Sequence, residues 1–472
     1  MMRLLFLDQL APAPGTLLEW TAVPARALVA DPTPPTSNQR IHLAAGGETT
    51  WLAGAFDVVG PIDEQALAAA FATWILRHDA LHLCFSAPGP GRSAAVRVVA
   101  DADIRLLARA PETVATTDEA RAALRDRLDE ACRPFSFPPY FLGAITRSGT
   151  STVIVGFDHA ICDAWSITIA VAELDELYRG IREQRQPGSV TQTLPEPGSF
   201  LSYLAREAAI PSSATASMIP AWQEFLREAG DDLPRFPLDL GVPVGALAPF
   251  GSDVRTLLGP ADTDALHSRA KAAGYAMFAA LLAATASSTS ELGGPSVMNL
   301  LVPVHARREP RNHDTFGWLV GNGPVRVAVE KDFATTAAAA DAAIRSGRNL
   351  SQVPATHVLD DPGTWLRPTR RDLFSVSYVD YRFLPGGSRS ETSRSRPRNP
   401  VQFSRSAPLD DVQLWFTRTD DGLSVRTRFP DTPAGRLLIA DLLDRLAKTL
   451  IAEIQERPIL VGWDHRQYRA TL

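Results

Sequence analysis

The stretch Gly156–Ile167, GFDHAICDAWSI, gathers His159, Cys162, Asp163 and Ser166 within a few positions of one another. His159 follows TSTVIVGFD, an apolar run that reads as a strand, so its imidazole stands where a rigid element gives out beside whatever cleft borders the sheet. An imidazole so placed is suited to taking a proton from a hydroxyl or amine near neutral pH. A histidine satisfied in a loop or core is the competing reading, and the local residues leave both open. Asp163 either caps the helix that begins near Trp165 or is buried against an arginine, where it shapes the loop that presents His159. Neither role requires it to touch a substrate.

Other chemistries fit the stretch poorly. His159 and Asp163 stand four residues apart, but no third and fourth ligands lie nearby and HExxH is absent, so no metal is expected. Cys162 has Ile161 and Asp163 as neighbours and no cation to activate its thiol, so it reads as packed rather than nucleophilic. Ser166 lacks a GxSxG elbow. Neither a Rossmann nor a P-loop glycine pattern occurs, which disfavours nucleotide-dependent chemistry.

The elements that must position these residues belong to a chain of 472 residues, 45% hydrophobic and 21% charged, enough for two sizeable domains with real cores. A net charge of -6 and a pI near 5.9 make nucleic acid a poor partner. Three scattered cysteines (Cys84, Cys132, Cys162) fit a reducing cytoplasm rather than a disulfide framework or zinc knuckle. MMRLLFLDQL is too short an apolar stretch for a signal peptide, and no run is long enough to span a membrane. Residues 1–50 read as Pro-rich and irregular, with ADPTPPTSNQ as loop or linker. A strand over WLAGAFDVVG leads into a helix capped by Asp63, with Leu67, Phe71, Trp74 and His78 on one face. YFLGAIT and TSTVIVGFD form a hairpin, followed by the helix SITIAVAELDELYRG. QRQPGSVTQTLPEPG is the candidate domain linker. Beyond it come helices near 200–209 and 219–228, a helix capped by Asp262 and ended by Gly274, and the buried helix YAMFAALLAATASSTSEL. PSVMNLLVPV, GPVRVAVE and LFSVSYVDY read as strands. PGGSRSETSRSRPRNP reads as a basic flexible loop, Asp420-Asp421-Gly422 as a hairpin turn, and AGRLLIADLLDRLAKTLIAEI as a closing helix. Mixed helix and antiparallel strand thus occur twice, which places a site in the cleft between two halves.

These residues resemble the condensation-domain superfamily, whose fold is that of chloramphenicol acetyltransferase. Its HHxxxDG signature reads here as Asp158-His159-Ala160-Ile161-Cys162-Asp163-Ala164, with Asp158 for the first His and Ala164 for the final Gly. The context matches as well. AFDVVGPIDEQALAAAFATWILRHDALHLCF resembles the opening strand and helix, with Arg77, His78 and Leu81 in the RHxxL segment. RPFSFPPYFLGAI resembles the approach to the active-site strand, and VPVHARR a later strand ending in arginine. In FGWLVGNGPVRV, Gly317, Pro324 and Arg326 are in register, while Asn322 falls one place late. PAPGTLLEWTAVPA near the start and the late DVQLWFTRTDDGLSVRTRFPDTPAG resemble the free-standing polyketide-associated acyltransferases of actinobacteria within it.

The resemblance implies an α/β (α+β) fold: two chloramphenicol acetyltransferase-like subdomains, 1–185 and 186–472, in a V-shaped pseudo-dimer with the active-site tunnel between them. It implies an acyltransferase with His159 as general base and Asp163 as a structural residue bound to Arg307, or failing that Arg308. Asp158, Ala164, Trp165 and Asn322 become candidate oxyanion or tunnel residues. No cofactor is implied beyond the donor, an acyl thioester of coenzyme A or of phosphopantetheine on a separate carrier protein, and the acceptor is an alcohol or an amine. Arg389, Arg394, Arg396 and Arg398 are read either as a patch for those phosphates or for an acidic carrier, or as a solvated loop. A condensation enzyme forming amides in a nonribosomal peptide pathway and an inactive recruitment module are the alternatives.

Overall fold

The computed structural model describes residues 2–44, 50–100, 103–391 and 396–455. Two large sheets organise it. In the first, Arg3–Phe6, Arg398–Ser404, Trp51–Val59, Thr150–Asp158, Tyr140–Thr146, Gly15–Pro24 and Ile104–Ala108 lie side by side in that order, with Glu112–Val114 also on Gly15–Pro24. In the second the order is Phe250–Leu258, Gly422–Pro430, Gln413–Thr419, Ser375–Asp380, Val297–His305 and Val320–Ala328. Each sheet carries its own apolar core, so the chain has two lobes of mixed helix and sheet.

The strand Thr150–Asp158 is buried on both faces. Val153, Val155 and Phe157 enter the main core of the first lobe, and Ile154 faces a second layer with Leu124 and Leu128. Gly156 lets the helix Thr117–Ala131 lie against this strand, because an added Cβ would come within 2.2 Å of the Leu128 side chain. On the other face runs Ala164–Arg182, with Ile167, Ala170, Val171 and Leu174 buried at helical spacing. The RHxxL segment ties that helix down. Arg77 Nε and His78 Nε2 both meet the Glu173 carboxylate, at 3.1 and 2.7 Å.

Four sequence expectations need correction. Residues 1–50 are not irregular. Gly15–Pro24 is an inner strand in which Leu18, Trp20 and Ala22 alternate into the core, and its prolines only bound it. Ser37–Ala44 is a helix, opened by a reciprocal cap in which Gln39 Oε1 accepts from the Thr36 N–H (2.8 Å) and Thr36 Oγ1 from the Gln39 N–H (3.2 Å). Asp262 does not cap its helix. Gly259 is the cap, and Pro260 occupies the first turn, where a missing N–H costs nothing. The segment after Arg182 is also more than linker, since Pro187–Thr191 is a short helix that buries Val190 in the first core.

The expected division at 185/186 is crossed by three later segments of the chain. Phe200, Leu204, Phe316 and Leu319 pack into the first core, and Arg398–Ser404 pairs with Trp51–Val59. The basic loop is therefore partly strand. Arg398 opens that crossover strand, Arg396 Nη2 donates to Ser388 O, Arg389 lies over the Phe383 ring, and Arg394 lies outside the described residues.

Candidate active site

The strand Thr150–Asp158 ends because Asp158 turns its carboxylate back to accept the Ala160 N–H at 2.8 Å, which starts one 3-10 turn over His159–Ile161. His159 is held by its backbone N–H to Thr50 O (2.8 Å) and by its ring, whose Nδ1 donates to Cys162 O at 2.9 Å. That bond fixes the tautomer and leaves the Nε2 lone pair for a proton. Burial pushes the His159 imidazolium below the ordinary histidine range, and the nearby His42 ring pushes in the same direction. The imidazole is thus neutral at physiological pH. Trp318 lies over the His159 ring, centroid to centroid 4.3 Å.

Asp163 fills both roles left open by the sequence. It caps Ala164–Arg182 through the Ser166 N–H at 2.9 Å. It also pairs with Arg307, Nη1 to Oδ2 at 2.6 Å and Nη2 to Oδ1 at 3.0 Å. The fallback arginine, Arg308, is exposed and donates to Arg348 O. Burial alone would raise the Asp163 carboxyl. The Arg307 guanidinium and the Ser166 and Leu319 N–H donors outweigh it and hold the group below the usual carboxylate range. Arg307 further donates to Thr315 O and Gly317 O, and Ser166 Oγ takes the Gly317 N–H at 3.0 Å. This one buried cluster therefore fastens the 315–319 loop, and Trp318 with it, to the start of the helix beside His159. Gly317 is needed for the close approach, since an added Cβ would lie 2.3 Å from the Phe200 ring.

The remaining expected residues fall around this centre. Trp165 is half-buried, its ring tilted against that of His305 at 5.3 Å, with the Arg307 guanidinium 5.5 Å from its centroid. Ala164 opens the helix. Asn322 sits on the strand Val320–Ala328 and donates to Asn38 Oδ1 at 3.1 Å. Arg382 and Arg396 line a cleft of about 120 Å³ with Thr168 and Val171 of the helix that follows His159. Among the described residues no group of three metal-ligating side chains occurs.

Sequence reasoning missed the Ser37–Ala44 helix altogether, and it proves central. Gln39 Nε2 donates to Ala160 O at 2.6 Å, Asn38 Nδ2 to Val320 O at 2.5 Å, and His42 Nε2 stands 3.5 Å from Asp158 Oδ1. The helix thus touches the His159 turn and the second lobe together. The Thr36-x-x-Gln39 capping pattern was the available signal.

Cys162 is fully buried, its thiol pushed well above the usual range by burial and by the neighbouring Asp163 and Asp158 carboxylates. Such a thiol is no nucleophile. Cys162→Ala is expected to cost about 1 kcal/mol of stability without loss of turnover, to be checked by denaturant melts and product formation.

The Condensation domain family model matches residues 42–416. The chain belongs to the condensation-domain family. Acyltransferase PapA3 of Mycobacterium tuberculosis (strain ATCC 25618 / H37Rv) is 25% identical over 402 residues, covering 84% of this chain and 82% of the relative. Trehalose-2-sulfate acyltransferase PapA2 of the same strain is 24% identical over 454 residues, covering 92% and 93%. The solved PapA2 acyl transferase superposes with a TM-score of 0.83 at 22% identity, over 96% of this chain and 100% of the other. The first condensation domain of the calcium-dependent antibiotic synthetase gives 0.65 at 18% identity, over 89% and 97%. The resemblance to polyketide-associated acyltransferases and the two-lobed fold are borne out, and this condensation-family protein is an acyltransferase.

Proposed function

We propose that the enzyme joins an acyl group from a thioester to a hydroxyl acceptor, forming an ester, with His159 as general base. The observation that carries this is the His159 ring, its Nδ1 committed to Cys162 O and its Nε2 left to accept a proton. The acceptor hydroxyl gives its proton to Nε2 as its oxygen attacks the thioester carbon. The tetrahedral oxyanion collapses, the C–S bond breaks, and the imidazolium returns the proton to the departing thiolate. Nothing in this sequence of steps needs a cofactor beyond the donor, a thioester of coenzyme A or of phosphopantetheine on a separate carrier protein. N–H groups in the first turn after Asp163, at Ala164 and Trp165, lack intrahelical acceptors and are our candidates for the oxyanion.

A relative named for acylating trehalose-2-sulfate supports a hydroxyl over an amine, since a sugar presents hydroxyls. Among the described residues no single helix is long and apolar enough to cross a membrane, and the three cysteines are free, which supports work in a reducing cytoplasm. The test is thiol release from a panel of acyl-coenzyme A and acyl-pantetheine thioesters with mixed alcohols and amines, products identified by mass. An ester is the expected product. An amide alone would overturn the hydroxyl assignment in favour of peptide-type condensation.

A further inference from the structure

Asp158 occupies the place of the first histidine in the family signature, and the structure gives it an imidazole from elsewhere. The carboxylate is fully buried. One oxygen accepts the Ala160 N–H, and the other, Oδ2, has no hydrogen-bond partner among the described residues. A buried carboxylate so poorly satisfied has room for a further donor. The group that faces it is His42, whose Nε2 is 3.5 Å from Oδ1. His42 is not there by chance of a loose loop. It lies one turn beyond Gln39 on the same face of its helix, and Gln39 is itself bonded to Ala160 O. The His42 ring is 6.2 Å from that of His159 and 5.8 Å from that of Trp318, so three aromatic rings close on one point.

We propose that His42 is a positioning residue of this active site: held beside His159 by the Asp158 carboxylate, it keeps the base in its neutral, proton-accepting form. A second imidazole beside the first opposes the charging of His159, while the Asp158 carboxylate favours it, so the two partners act on the base with opposite sign. The other charged and titratable groups around this cluster are engaged elsewhere. Asp163 is committed to Arg307, and the Cys162 and Cys132 thiols are held protonated by burial. On the far side of the helix, Arg40 bonds Thr356 Oγ1, and Glu207 accepts the Ser37 N–H.

The inference rests on His159 as base. The experiment is the pH dependence of kcat/KM for the wild type, His42→Asn and Asp158→Asn, with His159→Ala as control. His42→Asn is expected to move the acid limb to higher pH, because the group that opposed protonation is gone. Asp158→Asn is expected to move it to lower pH. A merely structural role would lower turnover without moving the limb in opposite directions. If turnover is too low to profile, the same midpoints are read by NMR from the His159 imidazole, identified by its loss in His159→Ala. If Asp158→Asn does not fold, the sign of the His42→Asn shift decides alone. A limb unmoved in His42→Asn, or moved the same way in both variants, overturns the role of His42. Wild-type turnover in His159→Ala would instead overturn the base itself.

Discussion

Replacing His159 with alanine is expected to lower kcat by about 10²–10⁴-fold, the range that general-base catalysis supplies, with the fold intact. The side chain makes a hydrogen bond to Cys162 O and ring contacts with Trp318 and His42, while the turn that carries it is set by Asp158, Gln39 and Thr50 through backbone groups. Removing the ring therefore removes the proton acceptor and little else. Wild-type activity should also persist to below the ordinary histidine pKa of about 6.5, since burial and His42 both disfavour the imidazolium. Product formation against pH checks both statements. A variant with unchanged turnover would remove His159 from the chemistry.

Arg307→Ala is expected to cost about 3–5 kcal/mol of stability, because it leaves the Asp163 carboxylate buried and uncompensated. The two side chains are 0% and 5% exposed, so water cannot substitute for the lost partner. The change also removes the guanidinium that donates to Thr315 O and Gly317 O of the 315–319 loop, so activity should fall along with stability. Arg308→Ala, which removes only bonds to Arg348 O and Ser351 Oγ at the surface, is the matched control and should be near neutral. The pair has a pH signature. The Asp163 carboxyl is depressed in the folded state, so its stabilisation is complete above its unfolded value of about 3.9 and is lost as the pH falls from there through the folded value. Acid melts of the wild type and of Arg307→Ala test this. The variant should lose the part of the acid-side dependence that Asp163 contributes, and an unchanged acid profile would show that the ion pair carries none of it.

By itself the sequence determined the strand–His–turn–Asp–helix order around His159, and its resemblance to the family pointed from there to Arg307 as the partner of Asp163. The order is legible because it rests on local signals: an apolar strand that stops at Asp158 and a helix of buried residues at helical spacing after Asp163. The turn at Asp420-Asp421-Gly422 is legible for the same reason, Gly422 taking a φ of +116° that other residues avoid. What surrounds His159 in space was decided only by the tertiary structure. His42, Gln39 and Asn38 come from a segment more than a hundred residues upstream of the motif, in a stretch whose prolines mask a short helix. Trp318 reaches His159 because Arg307 and Ser166 fasten its loop, and Arg398–Ser404 joins the first sheet from near the end of the chain. Periodicity reports which face of an element is apolar. It does not report which distant element will cover that face, because that choice is made by the packing of both lobes together.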